Sequence, residues 1–406
     1  MAIRFAIPVL ILAFALAGQD RLKELESRAA ALKARGDAAG ALALWQDAAQ
    51  LDPKSAHIED EIGFLLAVLN RRAEGLQHFD RALALDPDFA PAHYHAGVAL
   101  WIEQNPAQAI PHLERAAALG PKVFEYRYYP GQALNATANF AAALPHLEAA
   151  SAIDPKSADA WNQLGVARQH TGDAARAIDA YRRAVTLAPA NLDARNNLGY
   201  VLVETGRADD GLAQFEKVLQ LDPANDIARV NAGFAYLQKA DLVRAAARFR
   251  EVLRHDPNSA IAHYDLGVAL KQQDNLEGAI AELGRALAID PQLAEAHYTL
   301  GIIHWQSGGF DEAANEMRAA VQIKPEYGEA WFMLGTALKQ QGNLAESETA
   351  LRTAIRLQPD NPGPYNTLAQ LLLRKGDTEA SRKLFEEGAR AKQKKESDLG
   401  KMLQKR

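Results

Sequence analysis

Residues 158–191 read ADAWNQLGVARQHTGDAARAIDAYRRAVTLAPAN. Trp161, Leu164, Gly165 and Ala167 fall on neighbouring faces of a helix that ends at the turn Gly172-Asp173. Ala177, Ile178, Tyr181, Ala184 and Val185 repeat the helical spacing after the turn, until Pro189 stops it. The stretch predicts a helix–turn–helix hairpin with about 14 residues in each helix.

That hairpin recurs along nearly the whole chain. Ten prolines stand 34 residues apart: Pro53, Pro87, Pro121, Pro155, Pro189, Pro223, Pro257, Pro291, Pro325 and Pro359. They divide the chain into units 22–55, 56–89 and onward to 328–361, with an eleventh at 362–395 that lacks the proline. Position 8 is glycine from Gly63 in unit two to Gly335 in unit ten, and position 20 is alanine, glycine or serine throughout. A glycine inside a helix costs about 1 kcal/mol relative to alanine, so its return at one position implies that two helices cross closely there. One hairpin cannot bury its apolar stripe alone, and the units must therefore stack.

The order Trp161, Leu164-Gly165, Ala177, Tyr181, Ala184, Pro189 resembles the tetratricopeptide repeat, and the resemblance extends over residues 22–395. It implies an all-α fold, a right-handed superhelical solenoid of antiparallel hairpins whose concave face holds peptides or protein segments. Unit one carries Ala29 at position 8 and unit eleven Ala369, as expected of repeats with one face toward water. The domain expectation is a leader at 1–17, one solenoid at 18–395 and a basic tail at 396–406.

Composition narrows the chemistry. The chain of 406 residues is 48% hydrophobic and 24% charged, with a net charge of −6 and basic and acidic residues interleaved, which argues against nucleic acid as a partner. The absence of cysteine removes disulfides, thiolate metal sites and cysteine nucleophiles. No zincin, nucleophile-elbow, phosphate-loop or calcium-loop motif is present, so neither an enzyme nor a cofactor is expected. The Asn135-Ala136-Thr137 sequon has meaning only in a eukaryotic host.

The first residues suggest a compartment. A short positive start, Met1–Arg4, precedes the apolar run Phe5–Ala17, and Ala15-Leu16-Ala17 supplies a small-x-small cleavage pattern. The run is shorter than the ~20 residues that span a bilayer, so a secretory signal is expected, with export to the bacterial periplasm or cell envelope and no span in the mature chain. An uncleaved anchor is the alternative. At the other end, Ala389–Arg406 holds seven basic residues against Glu396 and Asp398. A solvated capping helix is the plain reading of it, and contact with an acidic surface or partner the sharper one.

Helix geometry places the candidate site. In each first helix, positions 4, 7, 8 and 11 face the partner helix and positions 3 and 10 the neighbouring unit. At 100° per residue, positions 2, 5, 6, 9, 12 and 13 remain, and the resemblance makes these the concave wall. The wall has three zones: Tyr94, His95, Trp101, Tyr128 and Tyr129; then the amides Asn162, Gln163, Asn196, Asn197 and Asn231; then Tyr264, Tyr298, Trp305 and Phe332. Amides pair with an extended backbone and aromatics carry much of interface energy. The expected protein-binding residues are Tyr94, Trp101, Tyr128, Gln163, Asn197, Asn231, Tyr264, Tyr298, Trp305 and Phe332.

Two subclasses of the family can be weighed. Position 5 never carries the lysine of the chaperone-binding carboxylate clamp. Gln163, Asn197, Asn231 and Asp265 at position 6 resemble the asparagine ladder of the O-GlcNAc transferase arm, without its catalytic domain. The expected function is a non-catalytic scaffold for a protein or peptide; the alternative is a regulatory or substrate-recruiting subunit of an envelope complex such as a glycosyltransferase. Pro130, at position 7 of a first helix, is expected to kink it. His93, His263 and His297 at position 4 are expected to be packing residues rather than metal ligands.

Overall fold

A computed structural model describes the backbone of residues 6–404 and the side chains of residues 18–398. The described backbone forms twenty-two α-helices and no strand. The chain divides into two compact units, Met1–Val201 and Leu202–Arg406. The first holds α1 (Ala6–Ala34), α2 (Ala38–Leu51), α3 (Ala56–Val68), α4 (Arg72–Leu85), α5 (Ala90–Ile102), α6 (Pro106–Leu119), α7 (Phe124–Ala136), α8 (Phe140–Ile153), α9 (Ala158–His170) and α10 (Ala174–Leu187). The boundary falls inside α11 (Leu192–Glu204). The second unit holds α12 (Ala208–Leu221), α13 (Asp226–Gln238), α14 (Leu242–His255), α15 (Ala260–Gln272), α16 (Leu276–Ile289), α17 (Ala294–Gln306), α18 (Phe310–Ile323), α19 (Gly328–Gln341), α20 (Leu344–Leu357), α21 (Pro362–Arg374) and α22 (Thr378–Gln404).

The turn inside each hairpin is set by one residue. Position 15 has a positive φ in all eleven repeats: glycine at 36, 172, 206, 308, 342 and 376, and Asn70, Gln104, Ala138, Ala240 and Asp274 in the others. In several repeats position 16 then caps the second helix. Asp37 Oδ1 accepts from Gly40 N at 2.8 Å, and Asp173, Asp241, Asn275 and Asp377 do the same at 3.2, 3.1, 3.0 and 3.0 Å. The Gly-Asp doublets in the sequence are thus a left-handed residue followed by an N-cap.

The two helices of a hairpin meet where the side chain is missing. A Cβ on Gly165 would lie 2.5 Å from the Tyr181 ring, one on Gly233 2.5 Å from Phe249, and one on Gly131 2.5 Å from Leu147. The large side chain is always at position 24, and position 20 stands beside it: Ser347 Oγ donates to the Gly335 carbonyl at 2.6 Å. Alanines at positions 3 and 10, such as Ala160, Ala167, Ala262 and Ala269, are fully buried against the neighbouring hairpin, as the spacing requires.

Position 4 does more than pack. His93 Nε2 lies 2.9 Å from the Pro87 carbonyl oxygen, and His263 Nε2 3.1 Å from that of Pro257. Trp161, Arg195, Trp331 and Tyr365 donate to Pro155, Pro189, Pro325 and Pro359 at 3.0, 2.7, 2.8 and 3.1 Å. Each strut ties a first helix to the loop that enters it. His263 and His297 also meet Glu282 and Glu316 across the hairpin, both at 2.6 Å. The reading of these histidines as packing residues therefore gives way to a hydrogen-bonding role.

Helix α7 runs through Pro130 to Ala136, with Pro130 buried. The leader expected at 1–17 lies outside the described side chains, although the backbone from Ala6 is continuous with α1. No helix among the described residues is long and apolar enough to cross a membrane. At the other end α22 runs 27 residues, and Lys394 reaches Asp360 at 2.8 Å.

Two substitutions test this account. Gly165→Leu should cost at least ~1–3 kcal/mol by overpacking and lower the melting temperature by several degrees. Ala240→Gly should gain about 0.5–1 kcal/mol by relieving a left-handed alanine. Thermal denaturation checks both, and unchanged melting in either would contradict the assignment of that position.

Candidate protein-binding face

From α3 onward, consecutive first helices within each compact unit touch each other and consecutive second helices do not, among the described residues: α3 meets α5, α5 meets α7, α7 meets α9, and α13, α15, α17, α19 and α21 follow in turn. The first helices therefore form the inner side of each stack. Two cavities in the first unit lie on it. One, of about 700 Å3, is lined on α1 by Lys23, Glu26, Ser27, Ala30, Lys33 and Ala34. These are positions 2, 5, 6, 9, 12 and 13, the set that helix geometry selects. The other, of about 370 Å3, lies between α3 and α5 and includes Phe64, Val68, Tyr94, His95, Val98 and Ile102.

The second cavity is apolar and open. Val68 is 57% exposed and Ile102 51%, unusual values for such side chains on a helix that faces the inside of a stack. Lys33 Nζ sits 4.0 Å over the Phe64 ring and 2.8 Å from Glu61, so the flanking cation is already neutralised. Tyr94 joins this pocket to a run of rings: Tyr126 at 5.1 Å, Tyr129 at 5.6 Å, and Tyr128 at 5.3 Å from Tyr129. Burial raises the Tyr94 hydroxyl well above its ordinary value and pushes Tyr128 up to about 12. Both stay protonated donors.

Positions 5 and 6 turn out to be partners. Asp60 meets His95 Nδ1 at 2.8 Å, and Asn162 Oδ1 accepts from Asn197 Nδ2 at 3.0 Å. Tyr264 and Thr299, and Tyr94 and Tyr129, fall at the same two positions, the Tyr94 and Tyr129 rings 5.6 Å apart. Position 5 of one repeat thus reaches position 6 of the next, forming rungs along the inner wall. Two amides read as part of the wall, Asn162 and Asn196, are 8% and 6% exposed and serve the wall's interior, not a ligand. Gln163 is engaged as well, since Asn135 Nδ2 donates to its side-chain and main-chain oxygens, both at 2.9 Å.

The ten expected binding residues are all half-buried. Tyr94, Trp101, Tyr128, Gln163 and Asn197 belong to the first compact unit and Asn231, Tyr264, Tyr298, Trp305 and Phe332 to the second. Tyr298 stacks obliquely on Tyr327 at 5.0 Å. Trp305 leans on Phe310 at 4.9 Å, and Phe332 packs on the cluster of Leu351 and Leu368. Those last two are as much packing residues as wall. Sequence reasoning missed Phe64, Val68, Val98 and Ile102; the signal was the aliphatic side chain of Val68 and Ile102 at position 13, where most later repeats carry a polar one.

Family models named tetratricopeptide repeat match residues 65–124 and 298–362 and residues 119–225, and a TPR repeat model matches 269–308. Together they span well over half of the chain. The chain belongs to the tetratricopeptide repeat family. Yeast Tom70 is similar over 95% of this chain and 95% of its own, at 15% identity and a TM-score of 0.52, a likeness of fold alone. YrrB, a TPR protein with an unusual peptide-binding site, is 23% identical over 45% of this chain and 95% of its own, at 0.44. MamA from Desulfovibrio magneticus RS-1 is 24% identical over 42% and 97%, at 0.39. No curated protein matches by sequence. Tetratricopeptide repeats are protein-interaction scaffolds, and this array has that architecture.

One ionisable group on the wall stands apart. Burial raises the Asp265 carboxyl to about 7. Since this folded value exceeds the unfolded one, Asp265 costs stability as pH rises from about 4 through 7. Asp265→Asn should therefore raise the melting temperature by several degrees at pH 8 and by clearly less at pH 5. An equal shift at both would contradict the burial.

Proposed function

We propose that the chain is a non-catalytic scaffold that holds a protein segment along its inner wall, outside the cytoplasm. The observation that carries the reading is the open apolar cavity between α3 and α5, where exposed Val68 and Ile102 and half-buried Val98 stand beside Tyr94. A half-exposed aliphatic cluster of this kind gains ~25 cal/mol for each Å2 of apolar surface that a partner covers. Side-chain pockets on a rigid helical frame select a segment at little ordering cost to the scaffold. The net charge of −6 speaks for a protein rather than a nucleic acid. Export rests on the Met1–Ala17 pattern.

The test is affinity capture from an envelope extract of the native host. Val68→Asp with Ile102→Asp should cut capture of the partner at least tenfold at unchanged melting, because both side chains are exposed. Arg250→Asp with Arg254→Asp, in the groove between second helices, should leave it intact. The reverse pattern would move the site to the outer face, and a chain isolated from the host starting at Met1 instead of Gly18 would refute cleavage.

A further inference from the structure

One place on the inner wall sets a carboxyl opposite a residue that cannot form a rung. Asp265 is at position 6 of its repeat, and the position-5 residue of the repeat before it is Val230. Where Asp60 and Asn162 offer a polar partner at this point, valine offers none. Among the described residues Asp265 makes no hydrogen bond and no ion pair, yet it is partly withdrawn from water, and that burial raises its carboxyl. A carboxyl in such a place is costly unless something else comes to it.

From this broken rung we infer that the inner wall of the second compact unit carries a subsite for a cationic side chain, a lysine or arginine of the bound segment, with Asp265 as its counter-charge. The inference rests on the inner-wall reading of function and names what that wall selects.

The surroundings supply the rest of the site. Tyr264 stands next to Asp265 on α15, and Tyr298 and Tyr327 follow, with the Glu295 and Glu329 carboxylates close to the tyrosines. A cation is favoured by ring faces and by carboxylates together. The wall already shows this chemistry with a cation of its own: Lys324 Nζ lies 5.1 Å over the Tyr327 ring and 3.1 Å from Glu295.

No internal cation serves Asp265 among the described residues. Lys271, six residues along α15, forms no ion pair with it and is itself pushed down by burial. Of the charges on the helices packed against α15, Arg250 on α14 lines the groove beside Glu251 and Glu282, and the following are engaged elsewhere. On α13, Arg229 meets Asp226 at 2.6 Å. On α14, Arg248 meets Glu251 at 3.0 Å. On α16, Glu282 takes both His263 and Arg285 at 2.6 Å, and on α17 Glu295 takes Lys324.

Binding of a cation draws the proton from Asp265. For a carboxyl near 7, only the ionised fraction accepts the ligand, so affinity rises about tenfold between pH 6 and pH 8. Lysine and arginine keep their charge over that range, so the change belongs to the protein.

The test is selection from a displayed library of random dodecapeptides on the full-length chain at pH 8, followed by fluorescence anisotropy of the best clone at pH 6 and pH 8. Wild type should enrich clones with lysine or arginine at one position, and the chosen peptide should bind about tenfold more weakly at pH 6. Asp265→Asn should still enrich peptides but lose the basic preference and the pH dependence. Val230→Asn, which restores a rung in the manner of Asn162–Asn197, should weaken the same peptide while the fold is kept. Enrichment without basic residues, or a preference that survives Asp265→Asn, overturns the subsite and leaves the inner-wall reading standing. Enrichment by neither bait overturns both.

Discussion

The seat left by the missing side chain at position 8 fixes everything built on it. With glycine there, the ring or branched side chain at position 24 lies against bare backbone, as Tyr181 does on Gly165 and Phe249 on Gly233. The crossing of the two helices is then alike in successive hairpins, and the apolar alanines at positions 3 and 10 arrive at the same place on the next one. Dense packing of this kind tolerates little change in volume. The glycines cost helix propensity, and the packing they permit offsets it.

A second set of contacts turns like hairpins into a stack. From the third repeat on, the side chain at position 4 is tryptophan, arginine, histidine or tyrosine, chemically diverse, yet it repeatedly brings an N–H or O–H to the carbonyl of the proline six residues earlier. That carbonyl lies in the loop between hairpins, where no helix supplies a partner. Positions 5 and 6 add rungs on the inner side. The interior and the joints thus absorb positions 3, 4, 5, 8, 10, 20 and 24. Positions 12 and 13, with part of positions 6 and 9, are left to vary: Trp101 and Ile102 in one repeat, Gln169 and His170 in another.

Much of this could be read from the chain alone. The 34-residue proline period and the Gly-Asp turns specify the hairpins because backbone conformation and capping are local properties of residue type. The close crossing at position 8 was legible because a helical glycine has a cost that needs a cause. The wall was legible as a face, since the angular arithmetic selects the very positions that line the cavity on α1. Its residues were less so. Asn162 looked like a ligand-facing amide, and only the reach from one repeat to the next shows that Asn197 holds it. Arg195 and Trp161 share no residue class, so a common bond to a prolyl carbonyl leaves no mark in a composition pattern. Likewise Val230 reads as an ordinary apolar residue until the rungs show what it fails to supply.

The claim that binds these observations is that the inner wall, not the outer one, is where a partner lies. Site-specific photo-crosslinking in cells of the native host tests it directly. A photoreactive residue would replace Val98 or Val268, both at position 9 of their first helices, or Glu216 or Arg254 on second helices. The account predicts discrete adducts from Val98 and Val268 and none from Glu216 or Arg254. Adducts from the second helices alone would contradict it.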